Sequence, residues 1–173
     1  SAVILGFVLL DEVNDVRPET NFGLAQLGDD PREFVPSFRG ATANLSILGN
    51  QALGQASFNS LPDSDNIVRR VPMFVQLDGK LYPTLVPETL RVAQGASTYR
   101  IKSSGASGEQ AFGEQTGLVA VSVGDFELPT DGQGALWLYD TGHQPERFIP
   151  VHEVMGPNFC LLYTSPSPRD QAK

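Results

Sequence analysis

Cysteine, histidine and basic residues are scarce in this sequence. Its 173 residues include one Cys and two His, so a disulfide framework is excluded and few ligands remain for a zinc site. Lys and Arg number 12 against 20 Asp and Glu, which gives a formal net charge of −8. A nucleic-acid binder needs clustered Lys and Arg to neutralise phosphates, so the excess of acidic residues predicts no nucleic-acid partner. The scarcity of Cys and His predicts no metal site.

Long hydrophobic runs are also absent. The longest one, Ala2–Leu10, has nine residues, whereas a helix needs about 20 apolar residues to span a bilayer. A short continuous apolar run is typical of a central strand that is covered on both faces and paired on both sides. Because this strand begins directly after Ser1, we expect the chain to be cut and part of the domain to precede it.

The end of the chain has a different composition from the rest. The segment Cys160–Asp170 reads CLLYTSPSPRD and resembles the translation of a transposase adapter used in preparing sequencing libraries. Residues 160–173 are therefore interpreted as non-native, with a native Ser/Pro-rich linker as the alternative. The remaining residues, 1–159, have the length and apolar content of a single globular domain.

The clearest local pattern predicts a β-hairpin followed by a helix. Two strand-like runs within Val68–Leu85 flank Asp78-Gly79, a pair that favours a type I′ turn. A helix is predicted to begin after Thr84 and to end at Gly95. Its buried face is predicted from the apolar positions, which recur at helical spacing; these positions are Val86, Leu90 and Ala93.

The rest of the chain alternates loops with short elements. We predict a polar acidic loop over Asp11–Pro36, a short helix capped by Ser46 and a Gly/Ser-rich loop over Ser103–Gly117. Three strand-like pieces, LVAVSV, FELP and ALWLYD, follow that loop. The sequence thus predicts an α/β fold in which a mixed β-sheet is flanked by helices, forming one incomplete domain.

Signatures of catalysis are missing. The sequence has no G-x-S-x-G, no phosphate-binding G-x-x-x-x-G-K-[ST] and no H-E-x-x-H. The two histidines, His143 and His152, lie among polar residues and are interpreted as surface residues. We predict no catalytic residue and no cofactor. An enzyme remains an alternative if either histidine is buried beside a carboxylate.

The most concentrated polar segment is Leu61–Pro72, in which two Asp precede two adjacent Arg. A calcium loop is not predicted, because the Gly and the distal Glu of that pattern are missing. One interpretation is structural: Asp63 or Asp65 caps a turn, while one Arg pairs with a carboxylate and the other stays exposed. The other interpretation is that the segment contacts a ligand.

This segment and the hairpin resemble the second type of CHASE domain, the cyclase- and histidine-kinase-associated sensory extracellular domain. In that family a loop N-x-x-P-D-x-D-G-x-x-R-R-x-P leads into a hairpin with a D-G turn and then into L-Y-P-S/T-L. Asn66 stands where the family has Gly, and Asn tolerates the same left-handed conformation. The matching residues are Asn59, Pro62, Asp63, Asp65, Arg69, Arg70, Pro72, Asp78, Gly79, Leu81, Tyr82 and Pro83.

The resemblance implies an extracytoplasmic sensor domain of a plasma-membrane receptor, attached through flanking helices that are missing from this chain. Its implied output is a cytoplasmic adenylate or guanylate cyclase, or a histidine or Ser/Thr kinase. The expected partners are an unknown small-molecule or protein signal and a second receptor copy. Arg69, Arg70 and Tyr82 are the predicted signal contacts. A soluble periplasmic ligand-binding or adaptor protein is the alternative.

Overall fold

The computed structural model describes residues 2–106, 117–139, 142, 144–145 and 148–154. The chain divides into two units, Ser1–Leu138 and Tyr139–Lys173. In the first unit the elements in chain order are β1 (Ile4–Phe7), β2 (Leu9–Leu10), β3 (Gly23–Leu27), a 3₁₀ turn (Pro31–Glu33), β4 (Ser37–Phe38), β5 (Gly40–Ala41), α1 (Ser46–Gly49), β6 (Gly54–Ser57), β7 (Arg70–Pro72), β8 (Phe74–Leu77), β9 (Lys80–Pro83), α2 (Leu85–Ala93), β10 (Thr98–Ser103), β11 (Leu118–Val123), β12 (Phe126–Pro129) and β13 (Ala135–Trp137). The described part of the second unit contains a short helix, α3 (Val151–Val154).

Parallel and antiparallel pairs are mixed in the sheets of the first unit. The order β4-β8-β9 joins a parallel pair to an antiparallel hairpin. The order β12-β11-β10-β3 is antiparallel except for β3, which runs parallel to β10. Strand β1 pairs in parallel with β6, and α2 contacts both of them. The predicted α/β fold with mixed sheets is confirmed.

Strand β8 separates two hydrophobic clusters because successive side chains point to opposite faces of a strand. Phe74 belongs to the first cluster, together with Tyr99 and Ile101 of β10. Val75 and Leu77 belong to the second cluster, which also contains Phe7, Leu9, Phe38, Ala41 and Tyr82. The hairpin therefore contributes side chains to both hydrophobic clusters, one from each face of β8.

The hairpin turn and the end of the helix agree with the prediction. Asp78 and Gly79 have φ angles of 47° and 72°, as a type I′ turn requires. Gly95 follows α2 with φ of 63°. Thr84 occupies the N-cap position, but its hydroxyl donates to the carbonyl of Pro72 at 2.6 Å instead of capping the helix.

Several boundaries differ from the prediction. The segment predicted as an acidic loop contains β3 and the 3₁₀ turn, since β3 gains its hydrogen bonds from the distant strand β10. Ser46 is the first residue of α1 and does not cap it. Strand β1 pairs with β6 alone among the described strands, and Ile4, Leu5 and Gly6 are only half-buried, so the predicted coverage of both faces is wrong.

The first strand-like run of the hairpin is also divided. Strand β7 pairs antiparallel with β13, while β8 pairs with β9, so the pairing partner changes at Met73. Among the predicted strands near the end of the chain, ALWLYD forms a strand over Ala135–Trp137 and not over Leu138 and Tyr139, while Asp140 lies outside the described residues. Most of the predicted Gly/Ser-rich loop, residues 107–116, lies outside the described residues.

Candidate functional site

The loop before β7 folds back on itself through short-range hydrogen bonds. The amide of Asp63 donates to the carbonyl of Ile67 (3.0 Å), and the amide of Asn66 donates to the carbonyl of Asp63 (2.9 Å). The Ile67 amide donates to Oδ1 of Asp65 (3.1 Å). Asn66 has φ of 64°, so it adopts the left-handed conformation predicted for it. This turn brings both carboxylates close to the start of β7.

Asp63 bridges two guanidinium groups. Its Oδ1 accepts from Nη2 of Arg70 at 2.7 Å, and its Oδ2 accepts from Nη1 of Arg69 at 3.2 Å. Arg69 also binds Asp65 with two hydrogen bonds of 2.9 and 2.7 Å, the bidentate geometry that fixes both side chains. The structural interpretation predicted that one arginine pairs with a carboxylate while the other stays exposed. Instead both arginines are paired, and both remain partly exposed.

Arg70 connects this loop to β13. Its Nη1 lies 3.5 Å from Oδ2 of Asp131, and its guanidinium lies 5.4 Å from the ring centroid of Trp137. Trp137 is the residue opposite Arg70 in the β7–β13 ladder. Asp131 is held in turn by the amides of Gln133 (3.0 Å) and Ala135 (2.8 Å), which donate to its Oδ1. The network therefore joins two segments that are far apart in the sequence.

The ion pairs favour the ionised form of both carboxylates in this network. Hydrogen bonds from Arg70 and then from Arg69 lower the pKa of Asp63 below its usual range. The bidentate contact with Arg69 lowers the pKa of Asp65. Both carboxylates are therefore ionised at neutral pH. The arginine side chains keep 42% and 37% of their surface exposed, so solvent and a ligand can reach them.

A cleft of about 180 Å³ opens beside the Asp63–Arg70 pair. Its walls are mainly apolar and rich in proline, and its polar groups lie at the ion pair and at one glutamine. The lining residues are Pro36, Leu61, Pro62, Asp63, Arg70, Pro72, Gln133 and Ala135. Apolar walls around a few polar groups are typical of small-molecule sites, so this cleft is the candidate binding site.

Tyr82 lies elsewhere. Its side chain is only 1% exposed and belongs to the second hydrophobic cluster, where its ring packs edge-to-face on Phe7 with centroids 5.7 Å apart. Burial raises the pKa of its phenol. In the described part of the chain, no hydrogen bond or ring contact joins Tyr82 to Arg69 or Arg70. The structure thus brings the two arginines together but does not add Tyr82 to them.

Asn59 of the family motif has a structural role that the sequence left unspecified. Its Nδ2 donates to the carbonyl of Leu9, and its Oδ1 accepts from the amide of Leu9, both at 2.7 Å. The hydroxyl of Ser57 donates to the same Oδ1 at 2.8 Å. The side-chain amide thus pairs with β2 as a neighbouring peptide group would, and it holds β2 beside the end of β6.

The remaining motif residues shape the hairpin and the cleft. Asp78 and Gly79 form the hairpin turn, and Asp78 also accepts a hydrogen bond from Arg17. Pro83 lies opposite Phe74 in the β8–β9 ladder. Pro62 lines the cleft. Of these four residues only Pro62 lines the cleft, and the other three shape the hairpin.

A second charged cluster lies inside the protein and was not predicted. Glu88 and Arg91 of α2 are 1% and 6% exposed, and Arg91 donates to Glu88 through Nε (2.9 Å) and Nη2 (2.6 Å). The hydroxyl of Tyr99 donates to Glu88, and burial raises the pKa of that phenol above its usual range. The spacing of Glu88 and Arg91, three residues apart on a helix, is the one signal in the sequence that favours an ion pair, and it carries no information on burial.

The same cluster corrects the predicted face of α2. The helix buries Pro87, Glu88 and Arg91, whereas Val86 is 41% exposed. Of the other apolar positions predicted to face the core, Leu90 is half-buried and Ala93 is exposed. The predicted apolar face is therefore wrong at Val86 and Ala93 and right at Leu90, which packs against the first hydrophobic cluster. The satisfied ion pair is buried beside it.

The enzyme alternative required a histidine that is buried beside a carboxylate, and the described residues offer none. His152 is exposed on α3, so it lacks the buried position beside a carboxylate that the enzyme alternative required. His143 lies outside the described residues. Over the described ranges, no three His, Cys, Asp or Glu side chains are grouped so that they could hold a metal ion. None of the helices in this part of the chain has the length and hydrophobicity needed to cross a bilayer.

The fold is that of an α/β domain. The ion pair of Asp63 and Arg70 beside a small cleft gives this domain a candidate binding site. The model of the CHASE2 domain family matches residues 2–171. The chain belongs to the CHASE2 family, a family of extracellular sensory domains rather than catalytic ones. No curated protein and no solved structure matches the chain.

Proposed function

We propose that this chain is the extracytoplasmic signal-sensing domain of a plasma-membrane receptor that regulates a cytoplasmic adenylate or guanylate cyclase, or a histidine or Ser/Thr kinase. The observation that carries the proposal is the CHASE2 match over nearly the whole chain. Signal binding is proposed to shift an equilibrium between two packings of a receptor dimer.

The proposed site of signal binding is the cleft beside Asp63 and Arg70. Each partner of this ion pair is accessible, so a charged group of a small molecule or a protein signal can compete for one partner and leave the other for a second contact. Arg69 contributes through its bond to the shared carboxylate of Asp63. Tyr82 is buried in the second hydrophobic cluster and does not line the cleft, so we do not propose it as a signal contact there.

The site is tested by measuring the binding of a panel of extracytoplasmic metabolites to the 173-residue chain. The double variant Arg69→Ala, Arg70→Ala is compared with Arg100→Ala, which removes an exposed arginine on β10. We expect the double variant to lose about tenfold or more in affinity for any ligand that binds, a loss of about 1.4 kcal/mol or more. Equal affinities in the wild type and the double variant would remove the site.

The receptor assignment is tested separately by long-read sequencing of the DNA on both sides of the region that encodes this chain. We expect CLLYTSPSPRD to be replaced by a sequence that leads through hydrophobic helices to a cyclase or kinase domain. A stop codon after the same tail, with no membrane segment on either side, would instead favour a soluble periplasmic ligand-binding or adaptor protein.

A further inference from the structure

Arg70 uses fewer of its hydrogen-bond donors than the other ion-paired arginines of the described ranges. Its Nη2 donates to Asp63 at 2.7 Å, whereas its Nη1 reaches Asp131 only at 3.5 Å. Its Nε has no acceptor among the described residues. Arg32 and Arg91, in contrast, each donate through all three nitrogens. Because a guanidinium carries five N–H donors, most donors of Arg70 are available to another group.

The free donors of Arg70 belong to a side chain that lines the cleft of about 180 Å³. The guanidinium is held there by the hydrogen bond to Asp63 and by the ring of Trp137, whose centroid lies 5.4 Å away. Asp63 is the other charged residue of the lining, and both of its oxygens already accept hydrogen bonds from Arg70 and Arg69. The charged group with spare capacity in the cleft is therefore a cation, which suits an anionic ligand.

The walls of the cleft suit a hydrocarbon. Most of the lining residues have no polar atom in their side chains; these are Pro36, Leu61, Pro62, Pro72 and Ala135. The exception besides the ion pair is Gln133, which lines the cleft and whose side-chain amide makes no hydrogen bond in the described part of the chain. That amide supplies a second donor for an anion.

The charge of the network limits the charge of the ligand. Asp63, Asp65 and Asp131 face two guanidiniums, so the network carries one net negative charge. The whole chain has a net charge of −8. Both charges repel a dianion more strongly than a monoanion. A carboxylate, with one charge and two oxygens for a guanidinium fork, meets these limits better than a phosphate ester.

We infer that the cleft binds a small monocarboxylate, whose carboxylate contacts Arg70 and Gln133 and whose short apolar chain lies against the prolines. This inference rests on the proposed signal site and names its ligand class. A volume of about 180 Å³ is about six times the share of one water molecule in the liquid, about 30 Å³. The apolar chain is therefore limited to a few carbon atoms.

Binding to the 173-residue chain is measured at neutral pH by ligand-detected NMR, with acetate, butyrate and hexanoate as probes. The affinity should rise about two- to fourfold for each added methylene that the walls bury. Hexanol and hexylamine have the same chain without the carboxylate, so they should bind about tenfold or more weakly than hexanoate. Hexyl phosphate should also bind more weakly. Fluorescence of Trp137, the only tryptophan, locates the binding beside Arg70.

Two variants test the contacts of the carboxylate. Arg70→Lys keeps the positive charge but loses the planar fork, and it should bind hexanoate about tenfold more weakly. Gln133→Ala, at an exposed position, removes one donor and should weaken binding about fivefold. Arg100→Lys is the matched control, because Arg100 is exposed on β10 and does not line this cleft. Urea midpoints establish that each variant is folded.

The outcomes separate the ligand class from the proposed signal site. Hexanoate that binds no more tightly than acetate, or less tightly than hexylamine, overturns the monocarboxylate, as does equal hexanoate affinity in the wild type and both variants. No binding of any probe overturns it as well. A metabolite of another class whose binding depends on Arg69 and Arg70 leaves the signal site standing and removes the monocarboxylate alone.

Discussion

Glu88 and Arg91 form a buried ion pair within α2, with Arg91 Nη2 2.6 Å from Glu88 Oε1. Both charged groups are hydrogen-bonded within the protein, Arg91 through all three of its nitrogens. Glu88 also accepts from Tyr99 of β10, and Arg91 donates to the carbonyl of Leu53 before β6. One pair thus ties α2 to β10 and to the segment before β6, and it adds to the apolar packing of Leu90 against the first hydrophobic cluster.

Removing one partner of this pair should be strongly destabilising. In Arg91→Met the carboxylate of Glu88 stays buried without its cation, which typically costs about 3–5 kcal/mol. Urea unfolding monitored by circular dichroism measures the loss. Arg100→Met is the control, because Arg100 is exposed on β10, and it should change the free energy of unfolding by less than about 0.5 kcal/mol.

The double variant Glu88→Leu, Arg91→Met provides the second half of this test. Replacing a buried pair by apolar groups of similar volume is often neutral, so the double variant should be more stable than Arg91→Met alone. A double variant as unstable as the sum of both single changes would show that the two side chains do not interact in the folded state.

Gly54 is required by the same carboxylate. A Cβ atom at this position would lie 2.2 Å from Oε1 of Glu88, so Gly54→Ala should destabilise the protein by about 1–3 kcal/mol through overpacking. The cause is tested in a double-mutant cycle with Glu88→Ala, measured by urea unfolding. Because that change removes the crowding atoms, the cost of Gly54→Ala should shrink. An undiminished cost would place the strain in the backbone.

The helix shows what the sequence could and could not predict. Thr84 and Gly95 marked its limits, since a cap position and a left-handed glycine depend on local conformation. Its buried face depends on partners far away in the sequence. The spacing of Val86, Leu90 and Ala93 placed Leu90 correctly against the core. It carries no information on whether Tyr99 and the carbonyl of Leu53 satisfy an ion pair, so the burial of Glu88 and Arg91 was not predicted.

The candidate site likewise has contacts that the sequence could predict and contacts that it could not. The turn at Asp63–Asn66 and the closeness of Arg69 to Asp65 follow from residues that are neighbours in the chain. The contacts of Arg70 with Asp131 and Trp137 depend on the pairing of β7 with β13. No local pattern specifies that register, because the two strands have only three paired positions.

Asn59 should tolerate neither removal nor an acidic replacement. Asn59→Ala leaves the amide and carbonyl of Leu9 without their partner, and each unsatisfied group costs about 1–3 kcal/mol. Asn59→Asp keeps the acceptor but loses the Nδ2 donor, so it should also be destabilised at neutral pH. Urea unfolding measures both variants, with Asn50→Ala at an exposed position as the control. A fully stable Asn59→Asp would show that the donated bond contributes nothing.

Asn66 should be replaceable by Gly but not by a β-branched residue. Its φ of 64° is accessible to Gly, so Asn66→Gly should change the free energy of unfolding by less than about 0.5 kcal/mol. Asn66→Val should cost about 1–2 kcal/mol, the typical penalty of the left-handed conformation. Thermal unfolding of the three proteins gives the order. Equal melting temperatures for the Val and Gly variants would contradict it.

Asp63 should make the stability of this loop sensitive to acid. The two arginines lower its pKa in the folded protein, whereas the unfolded chain has the ordinary value of about 4. The stabilisation is therefore fully present above about pH 4 and is lost as the pH falls through the lowered pKa of the folded state. In Asp63→Asn the titrating group is gone, so the free energy of unfolding should fall less steeply over that acid range.

The comparison of unfolding free energies at acid pH needs a control, because other carboxylates titrate in the same pH range. Hydrogen bonds with Arg32 lower the pKa of Asp30, so Asp30→Asn should also flatten the profile, but it leaves the network at Arg70 intact. Salt distinguishes the two pairs poorly, since all these groups are near the surface. The decisive comparison is the double variant Asp63→Asn, Arg70→Gln: its acid profile should coincide with that of Asp63→Asn, because Arg70 acts on this slope through Asp63. A further flattening would mean that Asp131 is its main partner.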